Sequence, residues 1–167
     1  MTAQEQESIF HDWLGKHKGV LFKIIRAYAF EEEDRDDLFQ EISLQVWRSV
    51  PSFKGNAAVT TWLYRIALNT AIRWKGKERR HADRTSPLQP TMPVLQEDNR
   101  ELDERIEWMY REIGRLNEVD RSLCLLLLDN FSYKEMADIV GISESNVAVK
   151  IHRTKRQLSE KSKDTDL

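Results

Sequence analysis

The segment between residues 132 and 158 limits the fold more than any other, because it marks two short helices joined by a tight turn. Ser132 and Glu135 stand three residues apart, which is the spacing of a capping box at the start of a helix. Gly141 can adopt the left-handed backbone conformation that a tight turn between helices needs. Ser143 is placed to cap the helix that follows the turn. The pattern predicts a helix-turn-helix.

The second helix of this pair has one apolar side and one polar, cationic side. Val147 and Ile151 recur at helical spacing and are expected to face the core, with the small Ala137 where the two helices cross. The polar and cationic side chains of this helix are Ser145, Asn146, Lys150, His152, Arg153, Lys155 and Arg156. Arg and Lys pair with guanine and Asn with adenine in the major groove, so DNA recognition is favoured over a merely solvated face.

A second informative stretch, residues 51–84, places a glycine-containing loop directly before a helix rich in aromatic rings and cations. The loop residues are Phe53, Lys54, Gly55 and Asn56, and the helix and its tail carry Trp62, Tyr64, Arg65, Arg73, Trp74, Lys75, Lys77, Arg79 and Arg80. Cations neutralise phosphates, and aromatic faces accept unstacked bases at about 1 to 3 kcal/mol per base. The combination is typical of a surface that binds single-stranded DNA.

The alternative interpretation of this stretch is that some of its aromatic rings are core residues. Leu63, Ile66, Ala67 and Trp74 fall near one face of the predicted helix. Any one aromatic taken alone is better explained by this amphipathic pattern, and only the coincidence of loop, rings and cations favours DNA binding.

The net charge of -2 conceals a strong segregation of charge along the chain. Acidic residues gather in Glu31–Glu41 and Glu97–Glu107, whereas basic residues gather in Arg65–Arg84 and Lys150–Lys163. Each basic segment could hold DNA, but repulsion from the acidic segments weakens binding by the isolated chain. A partner is therefore expected.

Several classes of protein are excluded by composition. The longest uninterrupted apolar run, Leu123–Leu128, is too short to cross a bilayer, and the polar start lacks a signal peptide, so a cytoplasmic location is expected. Cys124 is the only cysteine and is expected to be a small buried hydrophobe, so no disulfide or cysteine metal cluster is predicted. The chain lacks the HExxH spacing that a metal-dependent hydrolase would need, and no metal site or cofactor is predicted.

The first 50 residues of the chain are predicted to form two or more helices. The apolar spacing between residues 9 and 28 is helical, with Gly15 and Gly19 expected to interrupt or bend the run. Asp34 is the predicted N-cap of the next helix, which should end near Val50 because Pro51 disfavours helix in the residue before it.

The polar face of that next helix has two interpretations. Its residues are Asp37, Gln40, Glu41 and Gln45, with Leu44 expected to be exposed among them. Composition alone leaves a docking surface for a partner and an ordinary solvated surface equally open.

Two stretches resemble a known family. DRDDLFQEISLQVWRSVPSFKGNAAVTTWLYRIALNTAIRW is similar to the second conserved region of bacterial RNA polymerase sigma factors, in the compact extracytoplasmic-function (ECF) group, and its most specific parts are DLFQE followed by VW and FKG followed by TWLYRIALN. FSYKEMADIVGISESNVAVKIHRTKRQL resembles the fourth conserved region of the same family.

The resemblance implies three different roles for three sets of residues. Contact with the clamp helices of the polymerase is implied for Asp37, Gln40, Glu41 and Trp47. Melting of the minus 10 promoter element and capture of an unstacked base are implied for Phe53, Lys54, Asn56, Trp62, Arg65, Asn69 and Arg73. Recognition of the minus 35 element in the major groove is implied for Ser145, Asn146, Lys150, His152, Arg153, Lys155 and Arg156.

Three positions depart from the family pattern. Asn56 stands where an acidic residue is more usual after the glycine, and Val59 stands where an aromatic residue is usual, so the preferred base is expected to differ. Ala148 stands where many relatives carry a basic residue, and apolar contact with a thymine methyl is the expected substitute.

The sequence therefore predicts an all-α protein of two small helical domains, residues 1–84 and 100–167, with a helix-turn-helix in the second. Residues 85–99 are rich in Pro, Ser and Thr and predict a flexible linker.

The predicted function is that of a sigma factor, not an enzyme, whose partners are core RNA polymerase and promoter DNA; the sequence leaves open whether an anti-sigma protein is a third partner. The alternative is a stand-alone helix-turn-helix regulator, which would bind duplex DNA without the polymerase.

Overall fold

The computed structural model describes residues 1–78 and 103–165, and these residues form eight α-helices and one short 3-10 helix, with no strand. The helices are α1 Ala3–Lys16, α2 Lys18–Tyr28, α3 Glu32–Ser49, α4 Val59–Glu78, α5 Glu104–Gly114, α6 Glu118–Leu128, α7 Tyr133–Val140 and α8 Glu144–Lys163, with the 3-10 helix at Val50–Ser52. The chain divides into two compact units, Met1–Glu97 and Asp98–Leu167. The all-helical fold is confirmed, and the predicted linker lies outside the described residues.

The core of the first unit lies where α2, α3 and α4 pack together. Ile24, Leu38, Ile42 and Leu63 contribute side chains that are completely buried there. Burial of a side chain of this size stabilises the fold by about 1.5 to 3 kcal/mol, so these contacts fix the position of α4 in the unit.

The break predicted near the two glycines is confirmed, but the residue at the break is His17. Gly15 remains within α1 and Gly19 within α2, while His17 caps both helices with a non-helical backbone. Its backbone N–H donates to the carbonyl oxygen of Trp13 at 3.0 Å and closes the first helix. The glycines weaken the helix on both sides, so the chain can turn between them.

The third helix ends as predicted but begins earlier than predicted. Its last residue is Ser49, and a short 3-10 helix containing Pro51 follows. Its N-cap is Glu31, which has an extended backbone, so the prediction of Asp34 as N-cap was wrong. The first turn holds Asp34 together with two glutamates, and negative charge there is stabilised by the helix dipole without any side-chain cap.

The core of the second unit is centred on α6, which contacts α5, α7 and α8. Leu123, Leu125 and Leu126 are buried, and Cys124 is a free, buried thiol as predicted. Ile106, in the first turn of α5, is 40% exposed, whereas Ile113 near the end of that helix is buried.

The helix-turn-helix prediction is confirmed in detail at α7 and α8. The Ser132 hydroxyl accepts from the Glu135 backbone N–H at 3.1 Å, and the Glu135 carboxylate accepts from the Ser132 backbone N–H at 2.7 Å. Gly141 has φ of 82°, the left-handed conformation that the turn requires. Ser143 caps α8, and the side chains of Val147 and Ile151, facing inward, are buried.

Candidate nucleic-acid interface

The first residue of the glycine-containing loop, Phe53, packs between two tryptophan rings of the first unit. The Phe53 ring lies 5.1 Å from the Trp13 ring, edge to face at 85°, and 5.5 Å from the Trp62 ring. The Trp62 Nε1–H donates to the Ser49 hydroxyl at 3.2 Å, which ties the start of α4 to the end of α3. Pairs of this kind stabilise by about 0.5 to 1.5 kcal/mol beyond their buried area, so the start of the loop is fixed.

The rest of the loop is presented to solvent. Lys54 and Asn56 are exposed, and Gly55 between them has φ of 73°. Apart from Gly55 itself and its two chain neighbours, no residue has an atom within 4 Å of the place where a Cβ on Gly55 would be, so the loop at this glycine is open. A charged side chain and an amide therefore project next to the anchored Phe53.

Four of the predicted contact residues form one stripe along α4. Trp62, Arg65, Asn69 and Arg73 follow one another at intervals of three or four residues, which places them on the same side of the helix. Trp62 and Arg65 are half-buried, whereas Asn69 and Arg73 are exposed. The Arg73 Nε–H donates to the Asn69 carbonyl oxygen at 3.2 Å. At 1.5 Å of rise per residue the stripe is about 16 Å long.

The opposite side of α4 belongs to the core. Tyr64, one of the aromatic residues noted in the sequence, is completely buried together with Leu63 and Ala67. The core interpretation therefore holds for Tyr64, whereas Trp62 and Trp74 stay half-buried. The sequence could not separate these rings, since helical spacing fixes their relative directions but not which direction faces the core.

The polar face of α3 is partly exposed. Asp37 and Gln40 are exposed, and Glu41 is half-buried, with its carboxylate accepting from the Gln45 side-chain amide at 3.2 Å. Leu44 is half-buried, so the expectation that it is exposed was wrong; α3 contacts α1, α2 and α4, and packing on three helices leaves less of its surface to solvent than composition suggests.

Trp47, the aromatic residue of the predicted docking set, is half-buried against α1. Its ring meets the Phe10 ring edge to face at 5.4 Å, and its carbonyl oxygen accepts from the Gln6 side-chain amide at 2.8 Å. The N-terminal helix thus supports one side of this tryptophan, and the ring is held in a fixed orientation.

The exposed side of α8 carries most of the residues predicted to contact DNA. The exposed members of that set are Ser145, Asn146, His152, Arg153, Lys155 and Arg156. Lys150 is half-buried, and its ammonium lies 3.9 Å from the Asp120 carboxylate on α6. The sequence prediction did not include Val149, which is 55% exposed on this side. Its position midway between the two buried residues Val147 and Ile151 was the signal that could have identified it.

The far half of α8 is tied to the unit by a buried carboxylate. Glu112 on α5 is 5% exposed and accepts from Arg115 at 2.7 Å and from Lys161 on α8 at 3.1 Å. Hydrogen bonds to charged groups are worth about 1.5 to 3 kcal/mol, so this contact helps to set the direction of the helix.

A second buried group, Arg121, stabilises the connection between α5 and α6. Its guanidinium donates to the carbonyl oxygens of Gly114 and Leu116 at 2.6 and 2.9 Å. Gly114 is the last residue of α5, where carbonyl oxygens lack helical N–H partners, and Leu116 lies in the connection to α6. The residue has a structural role in the platform that carries α8.

The described residues offer little for covalent or metal chemistry. Burial raises the pKa of the Cys124 thiol to about 11, with the nearby Asp120 carboxylate as a second cause, so the thiol is not a nucleophile at neutral pH. Within residues 1–78 and 103–165, no three His, Cys, Asp or Glu side chains are grouped so that they could hold a metal ion. In the same ranges, no helix is both long enough and apolar enough to span a membrane.

Two family models match the chain, and they fall on the two units that carry these surfaces. Residues 13–81 match Sigma-70 region 2, and residues 106–158 match Sigma-70, region 4. Together the two matches cover more than half of the chain. The chain belongs to the sigma-70 family. It is thus a sigma factor, a protein that directs promoter-specific transcription.

The chain is similar along most of its length to sigma factors of the ECF group. It is 26% identical over 151 residues to the ECF RNA polymerase sigma factor SigM of Mycobacterium tuberculosis, covering 90% of this chain and 75% of the relative. It is 29% identical over 140 residues to the ECF RNA polymerase sigma-E factor of Escherichia coli, covering 77% of this chain and 73% of the relative. The resemblance to the ECF group seen in the sequence is confirmed.

Two solved structures have a fold similar to that of this chain. CnrH, in its complex with the cytosolic domain of CnrY, gives a TM-score of 0.68 at 19% identity, with 96% of this chain and 91% of that chain covered. The sigma factor RpoE of Bartonella quintana, in complex with the anti-sigma factor NepR, gives a TM-score of 0.64 at 20% identity, with 93% and 99% covered. At these identities the comparison concerns the fold.

Proposed function

We propose that this sigma factor uses three separate surfaces for the three steps of initiation. The polar face of α3 docks on core RNA polymerase through Asp37, Gln40, Glu41 and Trp47. The loop and the stripe on α4 melt the minus 10 element and hold the freed strand through Phe53, Lys54, Asn56, Trp62, Arg65, Asn69 and Arg73. The exposed side of α8 recognises the minus 35 element as duplex DNA.

The observation that carries the proposal is the continuity between the anchored loop and the α4 stripe. Phe53 touches Trp62, and Trp62 begins the line that runs through Arg65 and Asn69 to Arg73. One surface therefore offers a fixed ring, an amide and two cations in sequence. Extruding a base from duplex DNA costs a few kcal/mol, and a surface that stacks the base and neutralises its phosphates can offset that cost.

The minus 35 surface supplies groups of a different kind. Ser145 and Asn146 lie in the first turn of α8, and Arg153 follows two turns later, all of them exposed. The first residues of a recognition helix reach base edges in the major groove, where Asn matches adenine and Arg matches guanine. These groups suit intact duplex DNA, whereas the rings and cations of α4 suit a single strand.

In this proposal the chain acts by binding alone, without bond chemistry or a cofactor of its own. The acidic segments of the chain, whose net charge is -2, repel DNA from the isolated protein. The polymerase is therefore needed to lower this repulsion. Docking of the α3 face on the polymerase would remove part of that repulsion. The proposed site of action is the cytoplasm, where the polymerase works.

An anti-sigma protein is the third partner that we propose. RpoE of Bartonella quintana, which is similar in fold, was solved in complex with the anti-sigma factor NepR, and we infer a partner of the same kind by analogy. A tight complex between the chain and a protein that blocks its association with the polymerase would support this part of the proposal.

The test is transcription with purified core polymerase on a library of random promoters. The chain is expected to start transcription on a restricted set of sequences, and permanganate footprinting should detect unpaired thymines in the minus 10 region. Unchanged initiation on addition of the chain would refute the proposal. Strong promoter binding by the chain without polymerase would instead favour the stand-alone regulator.

A single substitution tests the role of the α4 stripe. Arg73→Ala is expected to slow melting of duplex promoters and to lower the salt dependence of binding by about one phosphate contact. A template with the minus 10 region already unpaired should recover most of the lost melting rate.

The matched control is Lys16→Ala, which removes an exposed cation from α1 in the same unit. The Lys16 ammonium lies 2.9 Å from the Asp12 carboxylate, and its side chain is 69% exposed. The Lys16→Ala substitution is expected to leave promoter melting and the salt dependence of binding unchanged. Equal effects of the two substitutions would mean that only the total charge of the unit matters.

A further inference from the structure

One large apolar side chain on α8 faces solvent. Val149 is 55% exposed, whereas Val147 and Ile151, two positions to either side, are 0% and 1% exposed. Two residues along an α-helix correspond to a rotation of about 200°. Val149 therefore points almost directly away from the core of its unit.

The neighbours of Val149 on this side of the helix are polar or cationic. Ser145 lies four residues before it, and His152 and Arg153 lie three and four residues after it. Positions at this spacing are adjacent on a helix surface, with Cβ atoms about 5 to 6 Å apart. All three are exposed, so an isolated apolar group stands among hydrogen-bond donors.

We propose that Val149 is a specificity-determining residue that contacts the C5 methyl group of a thymine in the minus 35 element. The proposal rests on the proposed function, in which this side of α8 enters the major groove. Among the base edges exposed in that groove, the thymine methyl is the only apolar group, and apolar side chains recognise it. Contact between the two removes water from both, and Ser145, His152 and Arg153 remain available for the bases or phosphates beside it.

The proposal assigns the apolar contact to Val149 and not to Ala148. Ala148 is half-buried and lies on the flank of the helix, so it presents less apolar surface outward than Val149 does. Lys150, on the other flank, approaches Asp120 within 3.9 Å. Of these three consecutive residues, Val149 is the one directed outward.

The experiment uses the holoenzyme formed with core polymerase and a promoter selected from a random library. Each thymine of the minus 35 element, on either strand, is replaced in turn by deoxyuridine, which keeps the base pair and removes only the methyl group. Loss of one buried methyl group is expected to weaken binding about four-fold at one or two positions. With Val149→Ala, binding to the thymine promoter should weaken by a similar factor, and the difference between thymine and uracil should disappear.

The controls separate this contact from general effects. Leu128→Ala shortens another exposed apolar side chain of the same unit, 42% exposed at the end of α6, and should keep the difference between thymine and uracil. Arg153→Ala should weaken binding to both DNAs and also keep the difference. Circular dichroism should show an unchanged melting temperature for Val149→Ala, since the side chain is exposed.

Two results would overturn the proposal while leaving the proposed function intact. The first is a holoenzyme that initiates from its promoters but does not distinguish thymine from uracil at any minus 35 position. The second is a Val149→Ala variant that keeps the full difference in binding between thymine and uracil. That result would mean that Val149 does not contact the thymine methyl, and would favour contact with a protein partner instead. A holoenzyme that recognises no promoter would refute the proposed function together with the assignment of Val149.

Discussion

The same substitution, glycine to alanine, should have opposite effects on stability at two places in this chain. Gly141 sits in the turn between α7 and α8 with φ of 82°, whereas Gly15 lies within the last turns of α1. At neither residue does an atom from outside the adjoining backbone and chain neighbours lie within 4 Å of the place where the new Cβ would be. Contact with the rest of the fold therefore does not decide the sign of the effect, and the local backbone conformation does.

The magnitudes follow from the backbone. An alanine held in the left-handed region costs about 1 to 2 kcal/mol, so Gly141→Ala should destabilise the second unit by that amount. An alanine in a helix is favoured over glycine by about 0.5 to 1 kcal/mol, so Gly15→Ala should stabilise the first unit by up to about 1 kcal/mol. Gly141→Asn should cost less than Gly141→Ala, because asparagine tolerates the left-handed conformation better.

Native-state hydrogen exchange is the suitable assay because it reports on each unit separately, whereas one melting curve would combine them. Exchange rates of the slowest amides in α6 and α8 measure the effect of a substitution at Gly141. Those in α2 and α3 measure the effect of a substitution at Gly15. Stabilisation by Gly141→Ala, or an equal cost for Gly141→Ala and Gly141→Asn, would show that the turn does not depend on the left-handed conformation.

Three further predictions concern charged and titratable groups. Glu112→Ala should destabilise the second unit by about 2 kcal/mol in urea unfolding, because Lys161 loses its buried acceptor, and Glu112→Gln should cost less because it keeps one acceptor oxygen. Cys124 should react with iodoacetamide at pH 8 only after denaturation, since burial raises its pKa to about 11; rapid labelling of the folded chain would contradict this. The pKa of Glu5 is lowered from 4.5 by the hydrogen bonds that its carboxylate shares with Thr2, so its contribution to α1 is present above pH 4.5 and is lost as the pH falls through the lowered value. Glu5→Gln should remove that part of the acid sensitivity in amide exchange of α1, and an unchanged pH profile would contradict the prediction.

Features that depend on local chemistry could be predicted from the sequence. The capping box at Ser132, the left-handed turn at Gly141 and the end of α3 before Pro51 each require particular residue types at short spacing. The structure has all three where the sequence placed them. Local requirements of this kind do not depend on which elements pack together.

Features that depend on packing were predicted less well. The prediction that Leu44 is exposed was wrong, because the apolar face of a helix is visible in the sequence but the extent of the elements that pack on it is not. Val149 was missed because only polar and cationic side chains were assigned to the outward side of α8, although its helical spacing from Val147 and Ile151 places it there. The contact residues proposed on α4 could be named from the motif, but the anchoring of Phe53 by Trp13, forty positions away, could not.

The two-sided character of α4 also restricts how this protein could acquire a new promoter preference. Most residues between those of the stripe, such as Leu63, Ala67 and Ala71, are buried in the interior of the unit. A mutation at one of them would cost folding stability before it altered any contact with a DNA strand. Evolutionary change in base preference is thereby channelled into a few sites spaced a helical turn apart and into the exposed tip of the loop.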